Sequence, residues 1–384
     1  MALPIANLAF LNVALIFIFT YYNQSLKEST YYRDEILSYK TFWYKKEKKT
    51  FKFSKIESVL LKPIGDAIGD AVVHIAHLKQ IKKALPNVKI AVLVTSRNKL
   101  IFSQANVVDM ILEDKVSTYL SQRGHWDLYL DFKPTFTTKS IILDSILKPK
   151  FIINFGKKQK SIYNLDTVKN YDFTTVFPKQ VHFADYLNYA IFADFLEKNQ
   201  VNYNLNIPNE LSSFANTLWQ EKKIRLLLNP QGSMREISTQ ELSELLSMID
   251  KRYVQHISCL LTNTTNSAEY LSKIKAPFEI SLAPNSDILG YCALVNSADI
   301  VIAVDGGGVH ISCALGKKLL SFYANHPANI ARWYPKPKKD VETFMVIADK
   351  WTEDNNDTRG FSLVAPAKWL NHQFAKLIEK YTAC

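Results

Sequence analysis

The chain has 384 residues, 47% hydrophobic and 22% charged, with a formal net charge of +11. It is too apolar to be intrinsically disordered and long enough for more than one core. Its four cysteines (Cys259, Cys292, Cys313 and Cys384) show neither CxxC nor metal-ligand spacing, which argues against a disulfide-framed fold or a zinc module.

Leu3 to Tyr22 is almost wholly apolar and aromatic, interrupted by Asn7 and Asn12. It is long enough for a marginal membrane span but has no basic n-region or small-residue cleavage site of a secretory signal. Up to Lys55 there are nine basic and four acidic residues, a local excess of +5. An apolar helix followed by Trp43, Tyr44 and a lysine run suits the cytoplasmic face of an anionic bilayer. The alternative is a helix packed on the protein's own surface with a solvated charge run behind it. Residues 1–55 are therefore expected to form an apolar and basic helical extension that spans or lies on a membrane.

From Ile56 the pattern becomes short β-rich runs alternating with helical stretches, as in parallel α/β units. Strands are expected at Ser58–Lys62, Val88–Val94, Val107–Leu112, Trp126–Phe132 and Lys150–Asn154, with the clearest helix at Asp70–Leu85. A long helix is expected at Val181–Glu197 and a polar linker at Asn199–Asn209. The alternation restarts at Ile224–Leu228, Tyr253–Leu261, Phe278–Leu282, Asp299–Val304 and Lys318–Tyr323, with a helix at Thr239–Ile249. A last helix, Pro366–Tyr381, is free to cross back onto the first half. The expected organisation is two Rossmann-like domains, 56–205 and 206–384.

Three strand–loop–helix passages carry candidate chemistry. In Leu60 to His74 the loop after the first strand brings Lys62, Asp66, Asp70 and His74 to a strand's carboxyl end, where ligands of open α/β sheets collect. Two aspartates at a helix start repel phosphate, so an acceptor hydroxyl suits this loop better than a nucleotide. Asp70 is then a general base, with Asp66 or His74 orienting the sugar; equally, Asp70 is only a helix cap. In Leu226 to Arg235, amides near Gly232 and Ser233 beside the Arg235 guanidinium suit a diphosphate, or Arg235 is an ordinary surface cation. In Asp299 to His310, three consecutive glycines, Gly306, Gly307 and Gly308, lie between Asp305 and His310 where a strand yields to a helix. They allow close approach of a ligand to unpaired amides, or simply a tight turn.

Together these passages resemble the heptosyltransferases of glycosyltransferase family 9. That family has a Gly-Asp at the first helix and a proline sixteen residues on, here Gly69-Asp70 and Pro86. It opens its second domain with an Asn-Pro-x-Gly-Ser type loop bearing a basic residue, here Asn229 to Arg235. Its Asp-(Thr/Ser)-Gly-x-x-His element and Ala-Leu-Gly-Lys turn correspond to Asp305, Gly307, His310 and Ala314 to Lys317. The chain departs from the pattern with Gly306 at the Thr/Ser position, with arginine where lysine is frequent at 235, and with Thr262-Asn263-Thr264 lacking the acidic residue that often holds the donor ribose.

The resemblance implies a GT-B architecture, two Rossmann-like domains facing a central cleft. It implies inverting transfer of heptose from ADP-heptose, without an obligatory metal or other cofactor, to the inner core of lipopolysaccharide or lipooligosaccharide. Donor contacts would come from Asn229, Gly232, Ser233, Arg235, Thr262, Asn263, Asp305, Gly306, Gly307, Gly308 and His310. The expected partners are a nucleotide sugar, a lipid-linked core oligosaccharide and the anionic inner-membrane surface reached from the cytoplasm. Nucleic acid is not expected, because the lysines are not interleaved with aromatic stacking positions. The competing readings are a relative using another nucleotide sugar, an enzyme that hydrolyses or epimerises one, and a non-catalytic membrane-docking protein.

Overall fold

Runs such as Ser58-Val-Leu-Leu-Lys62 and Ile300-Val-Ile-Ala-Val304 are apolar at successive positions, so as strands they bury both faces, the condition of a parallel sheet covered by helices on each side. The computed structural model, which describes residues 50–161, 163–197 and 203–382, contains two such sheets. The first comprises β1 (Ser58–Lys62), β2 (Lys89–Val94), β3 (Met110–Glu113), β4 (Leu128–Asp131), β5 (Phe151–Phe155) and β6 (Phe173–Thr175). The second comprises β7 (Ile224–Asn229), β8 (Ile257–Leu261), β9 (Ile280–Leu282), β10 (Ile300–Val304), β11 (Lys318–Asn325) and β12 (Thr343–Trp351).

All pairings are parallel, and the orders are 3-2-1-4-5-6 and 12-11-10-7-8-9. Renumbered from its own first strand, the second sheet repeats the doubly wound order of the first. In each sheet the strand order reverses beside the first strand, so the crevices lie beyond β1/β4 and β7/β10. These are the strands that lead into the three sequence-predicted loops.

Helix α1 (Ile68–Ala84) follows β1, and α10 (Gly307–Ala314) follows β10; the two pack against each other and join the halves. The other helices are α2 (Lys99–Ser103), α3 (Val116–Ser121), α4 (Thr138–Leu147), α5 (Asn209–Thr217), α6 (Thr239–Ser247), α7 (Lys251–Val254), α8 (Ser267–Lys273), α9 (Ile288–Ser297), α11 (Pro327–Trp333) and α12 (Val364–Thr382). The period of two along each strand divides the second sheet's side chains between two cores. Leu227, Val301 and Ala303 join a core continuous with the first half. Leu226, Leu228, Ile300 and Ile302 instead pack with α6 and α12.

Several expectations are corrected. Val181–Glu197 is not one long helix but two 3-10 turns, Phe183–Tyr189 and Ala193–Phe195. Phe183, Tyr186, Ala184 and Leu187 are buried with i,i+3 spacing, which a three-residue turn aligns on one side. Tyr253 is not in a strand: Asp250 caps α7, and β8 starts only at Ile257. The segment after residue 202 is packed rather than a loose linker, with Tyr203 and Leu205 buried. Helix α12 stays on its own half, on α6, α7, β7 and β12. The edge strands β6 and β12 were not anticipated. Of the N-terminal extension, residues 1–49 lie outside the described residues. Phe51 and Phe53 belong to the first half's core, Phe53 stacking on Phe192 with centroids 4.5 Å apart. Among the described residues, no helix is long and apolar enough to cross a membrane.

Buried histidines line the seam between the halves. Ile64 N–H donates to His74 Nε2 (3.0 Å), His74 Nδ1 meets His77 Nδ1 (3.1 Å), and His77 Nε2 meets the Phe183 carbonyl (2.9 Å). Since a carbonyl can only accept, His77 carries its proton on Nε2 and His74 carries its own on Nδ1, so both rings are neutral. His182 likewise accepts from Ala184 N–H and donates to the Tyr334 carbonyl (3.1 Å). Burial pushes His77 down to about 4, His182 and His310 to about 3, and His74 well below the usual imidazole range.

These groups bind protons more readily unfolded, so they contribute stability above pH 6.5 that is lost as the pH falls. Asp70 and Asp144, raised to about 6 and about 7, act in the opposite direction over the same range. Asp305 is raised as well, and the four lowered imidazoles still outnumber these three carboxyls, leaving the unfolded chain the net proton binder. Urea midpoints are therefore expected to fall between pH 6 and 4, by roughly 1.4 kcal/mol per pH unit for each net proton. A flat profile would contradict the neutral seam.

Candidate active site

The loops after β1 and β10 meet where α1 and α10 touch by their first turns. A Cβ added to Gly69 would lie 3.2 Å from Gly307 Cα and 3.1 Å from the His310 ring, so a side chain there would force the two turns apart. Beside this contact is a cavity of about 990 Å³, walled almost entirely by the second half, with Ile68 reaching in from the first. Its volume suits a ligand of nucleotide-sugar size.

Of the proposed donor residues, Asn229, Gly232, Ser233, Arg235, Thr262, Asn263, Gly306, Gly307 and Gly308 line the cavity. Asn229 and Thr262 act from beneath it. Thr262 Oγ1 donates to Asn229 Oδ1 (3.1 Å), and Asn229 Nδ2 donates to Tyr291 Oη (2.8 Å). This buried pair supports the glycine turn, and a Cβ on Gly308 would run into the Asn229 amide and lie 2.7 Å from Tyr291 Oη. Gly307 and Gly308 open α10, so their amides have no intrahelical acceptor. By contrast, the Gly232 amide is not free for a diphosphate, because it donates to the Arg235 carbonyl (2.8 Å) and closes its own turn.

Arg235 is aimed by what it touches. Its Nε donates to the Asn355 carbonyl (2.7 Å), and one terminal nitrogen lies 3.4 Å from Asp305. Asp305 is buried under this pair and also accepts from Asn329 Nδ2 (2.8 Å). Burial raises its carboxyl although Arg235 and Asn329 pull it down. Asp305 therefore orients the guanidinium rather than lining the cavity. His310 is also absent from the wall: it is buried in the seam, with Nδ1 3.3 Å from Tyr203 Oη.

On the first half, Asp70 sits at the third position of α1, whose N-cap is Ala67, with no side-chain capping bond. Asp70 is therefore not the N-cap, and as a first-turn acid it complements the helix dipole. A Cβ at Gly65 would come within 2.8 Å of Asp70 Oδ2, so the glycine leaves this carboxylate its place. Burial, and secondarily the charge of Asp66, push the Asp70 carboxyl up to about 6. Among the described residues it has no hydrogen-bonding or ion-pair partner. Asp66 is half-exposed and pairs loosely with Arg97 (3.4 Å).

The other two acceptor candidates have no surface to offer. Lys62 is buried, donating to Tyr119 Oη (2.7 Å) beside Asp114 (3.6 Å). His74 uses both ring nitrogens in the seam and thus fixes the backbone of the Asp66 loop at Ile64.

The sequence reading missed Tyr291, Asp287, Asn356 and Arg359 in the wall. Asp287 supplies a carboxylate that Thr262 to Thr264 lack, while capping α9 through Gly290 N–H (2.8 Å). No local motif marks these positions, since they come from separate stretches of chain. Among the described residues, no group of three or more His, Cys, Asp or Glu is arranged to hold a metal ion.

Two like-wound Rossmann-like halves, meeting through the loops at their strands' carboxyl ends with a large cavity on one side, define a GT-B glycosyltransferase. The chain belongs to glycosyltransferase family 9 (heptosyltransferase), whose model matches residues 137–352. A search of curated proteins finds no match. Among solved structures, the chain is similar to E. coli ADP-heptose LPS heptosyltransferase II, with TM-score 0.64 and 12% identity over 83% of this chain and 99% of that one. It is also similar to a family 9 glycosyl transferase from Veillonella parvula, with TM-score 0.66 and 10% identity over 86% and 100%. E. coli heptosyltransferase WaaC with ADP gives TM-score 0.58 and 15% identity over 82% and 99%.

Gly308→Ala is expected to lower stability by about 1–3 kcal/mol through the Asn229 and Tyr291 overlap, read as a reduced melting temperature. Gly360→Ala serves as a separate control, since a Cβ there meets nothing within 4 Å and its cost comes only from a positive φ.

Proposed function

We propose that the protein is an inverting transferase that moves a heptose from ADP-heptose to a lipid-linked inner-core oligosaccharide. Residues 56–205 would hold the acceptor and 206–384 the donor. The observation that carries this reading is the position of Asp70: an unpartnered carboxylate with its pKa raised to about 6, one residue after the glycine that touches Gly307.

In this mechanism the acceptor hydroxyl attacks the anomeric carbon from the face opposite the nucleotide. The new C–O bond forms as the bond to the diphosphate breaks, and Asp70 takes the hydroxyl proton. A carboxyl titrating near 6 is ionised at pH 7 yet more basic than an exposed aspartate. The negative charge developing on the leaving nucleoside diphosphate is met by Arg235, held by Asp305 and the Asn355 carbonyl, and by the first-turn amides of Gly307 and Gly308. The reading assigns charge neutralisation to the protein, so a chelator should leave turnover unchanged.

ADP in the E. coli WaaC structure supports an adenine nucleotide as the first donor to test, and the family name supports heptose. The membrane-facing, cytoplasmic assignment is part of the same reading, because a lipid-linked acceptor must be met at a bilayer surface.

Asp70→Asn is expected to lower kcat by about 10²–10⁴-fold while calorimetric ADP binding is retained. In the wild type, log(kcat/KM) should rise with pH up to about 6 and then level off. Near-normal turnover in the variant would remove Asp70 as the base. Titration with ADP, UDP and GDP should show selective ADP binding, weakened by Arg235→Ala by roughly 1.5–3 kcal/mol, the range of a charge-assisted hydrogen bond. Preference for another nucleotide would keep the mechanism and replace the donor.

A further inference from the structure

The first half exposes apolar side chains on the segment between β6 and the end of the second 3-10 turn. Val176 is 80% exposed, Phe195 58%, Ile191 52% and Tyr189 42%. Tyr189 and Phe195 stand on an aromatic layer, and Val176 and Ile191 are the sequence neighbours of its Phe177 and Phe192. Phe195 packs on Phe53 (5.5 Å), Phe53 stacks on Phe192 (4.5 Å), and Phe177 contacts both Tyr186 (3.8 Å) and Tyr189 (6.1 Å). Soluble monomers rarely hold such a cluster rigidly in water.

We propose that this face is a membrane-docking surface, inserting Val176, Tyr189, Ile191 and Phe195 into the interface of an anionic lipid bilayer. Three observations select a bilayer as the occupant. Three exposed lysines, Lys52, Lys55 and Lys179, flank the patch in sequence against one exposed carboxylate, Asp194, beside Phe195, while Glu197 and Asp185 pair with Lys83 (2.7 Å) and Lys336 (2.6 Å). That leaves cations for anionic headgroups. The chain enters the folded body at this layer, since Phe51 contacts Phe151 and Phe173 and lies immediately after Thr50. In sequence, the apolar run Leu3 to Tyr22 and then the lysine run precede this entry point. Tyrosine beside aliphatic and phenyl side chains is also the composition of a bilayer's interfacial zone.

A second pocket shares a side chain with this aromatic layer. Its volume is about 320 Å³, and Phe177, Lys179 and Tyr186 of the first half face His326, Arg332 and Trp333 of the second across it. Phe177 belongs both to the wall of this pocket and to the aromatic layer under Tyr189. The docking surface rests on exposure, charge and connectivity, so it stands independently of which sugar is transferred.

The test uses the full chain in a Cys384→Ser background, where the remaining cysteines, Cys259, Cys292 and Cys313, are buried. A single cysteine carrying an environment-sensitive fluorophore replaces Ile191, Phe195 or, as a control on α6, Ser247. On adding phosphatidylcholine vesicles containing phosphatidylglycerol, emission from 191 and 195 should shift to the blue and be quenched by doxyl-labelled lipid, while 247 stays unchanged. In flotation, Ile191→Glu/Phe195→Glu should reduce partitioning on the order of tenfold or more, with an unchanged melting temperature. Labels that remain water-like while the protein floats would show that the leader alone binds. Labels already shielded without vesicles would show that the leader or a second copy covers the face. Either result overturns the proposal.

Discussion

The molecule is organised around a contact between two backbones. Gly69 lies in the first turn of α1 and Gly307 opens α10, and the helices pack so closely there that a Cβ on Gly69 would be 3.2 Å from Gly307 Cα. The positive ends of two helix dipoles thereby converge on one point, a place that favours developing negative charge. Asp70 is beside it on one side, and the amides of Gly307 and Gly308 on the other. The proposed base and the proposed anion-binding amides are thus fixed relative to each other by main-chain packing, not by flexible side chains, which is the preorganisation that the proposed transfer requires.

That convergence needs a foundation, and the buried polar network supplies it. His74, His77 and His182 are each satisfied as one donor and one acceptor, in register with the carbonyls of Phe183 and Tyr334. The same logic holds on the donor side, where Asn229, Thr262 and Tyr291 support the glycine turn, and Asp305 with Asn329 sets Arg235. Buried polar groups of this kind are costly if left unpaired, so they favour one arrangement of the two halves over neighbouring ones.

Much of this was legible in the sequence because parallel α/β folds write their design locally. Buried strands appear as continuous Val, Ile and Leu runs, and a ligand loop follows the strand at which the order reverses. The positions of β1, β7 and β10 and the three loops after them could therefore be read directly, as could most of the residues that line the large cavity. What could not be read was the direction of individual side chains. Lys62, Asp305 and His310 lie in the right loops yet turn into the protein, because each answers a partner remote in sequence: Tyr119, Asn329 and Tyr203; His74 turns in with His77, one helical turn on, whose own partner is the distant Phe183 carbonyl. Tyr291 and Asp287 were missed for the converse reason, since only the fold brings α9 beside β7. The 3-10 turns at Phe183–Tyr189 and Ala193–Phe195 escaped notice because their apolar spacing also fits one face of an α-helix.

All strands of the first sheet precede all strands of the second, and α12 remains with the sheet it follows. During synthesis on the ribosome, the first half can accordingly complete its hydrogen-bonded sheet from nascent chain before any strand of the second has emerged. Until α10 arrives to cover it, the face of α1 carrying Gly69 remains open, so the seam closes late. The order of translation thus delivers the proposed base first and the glycine turn afterwards, so the reactive arrangement comes into being only when the chain is nearly finished.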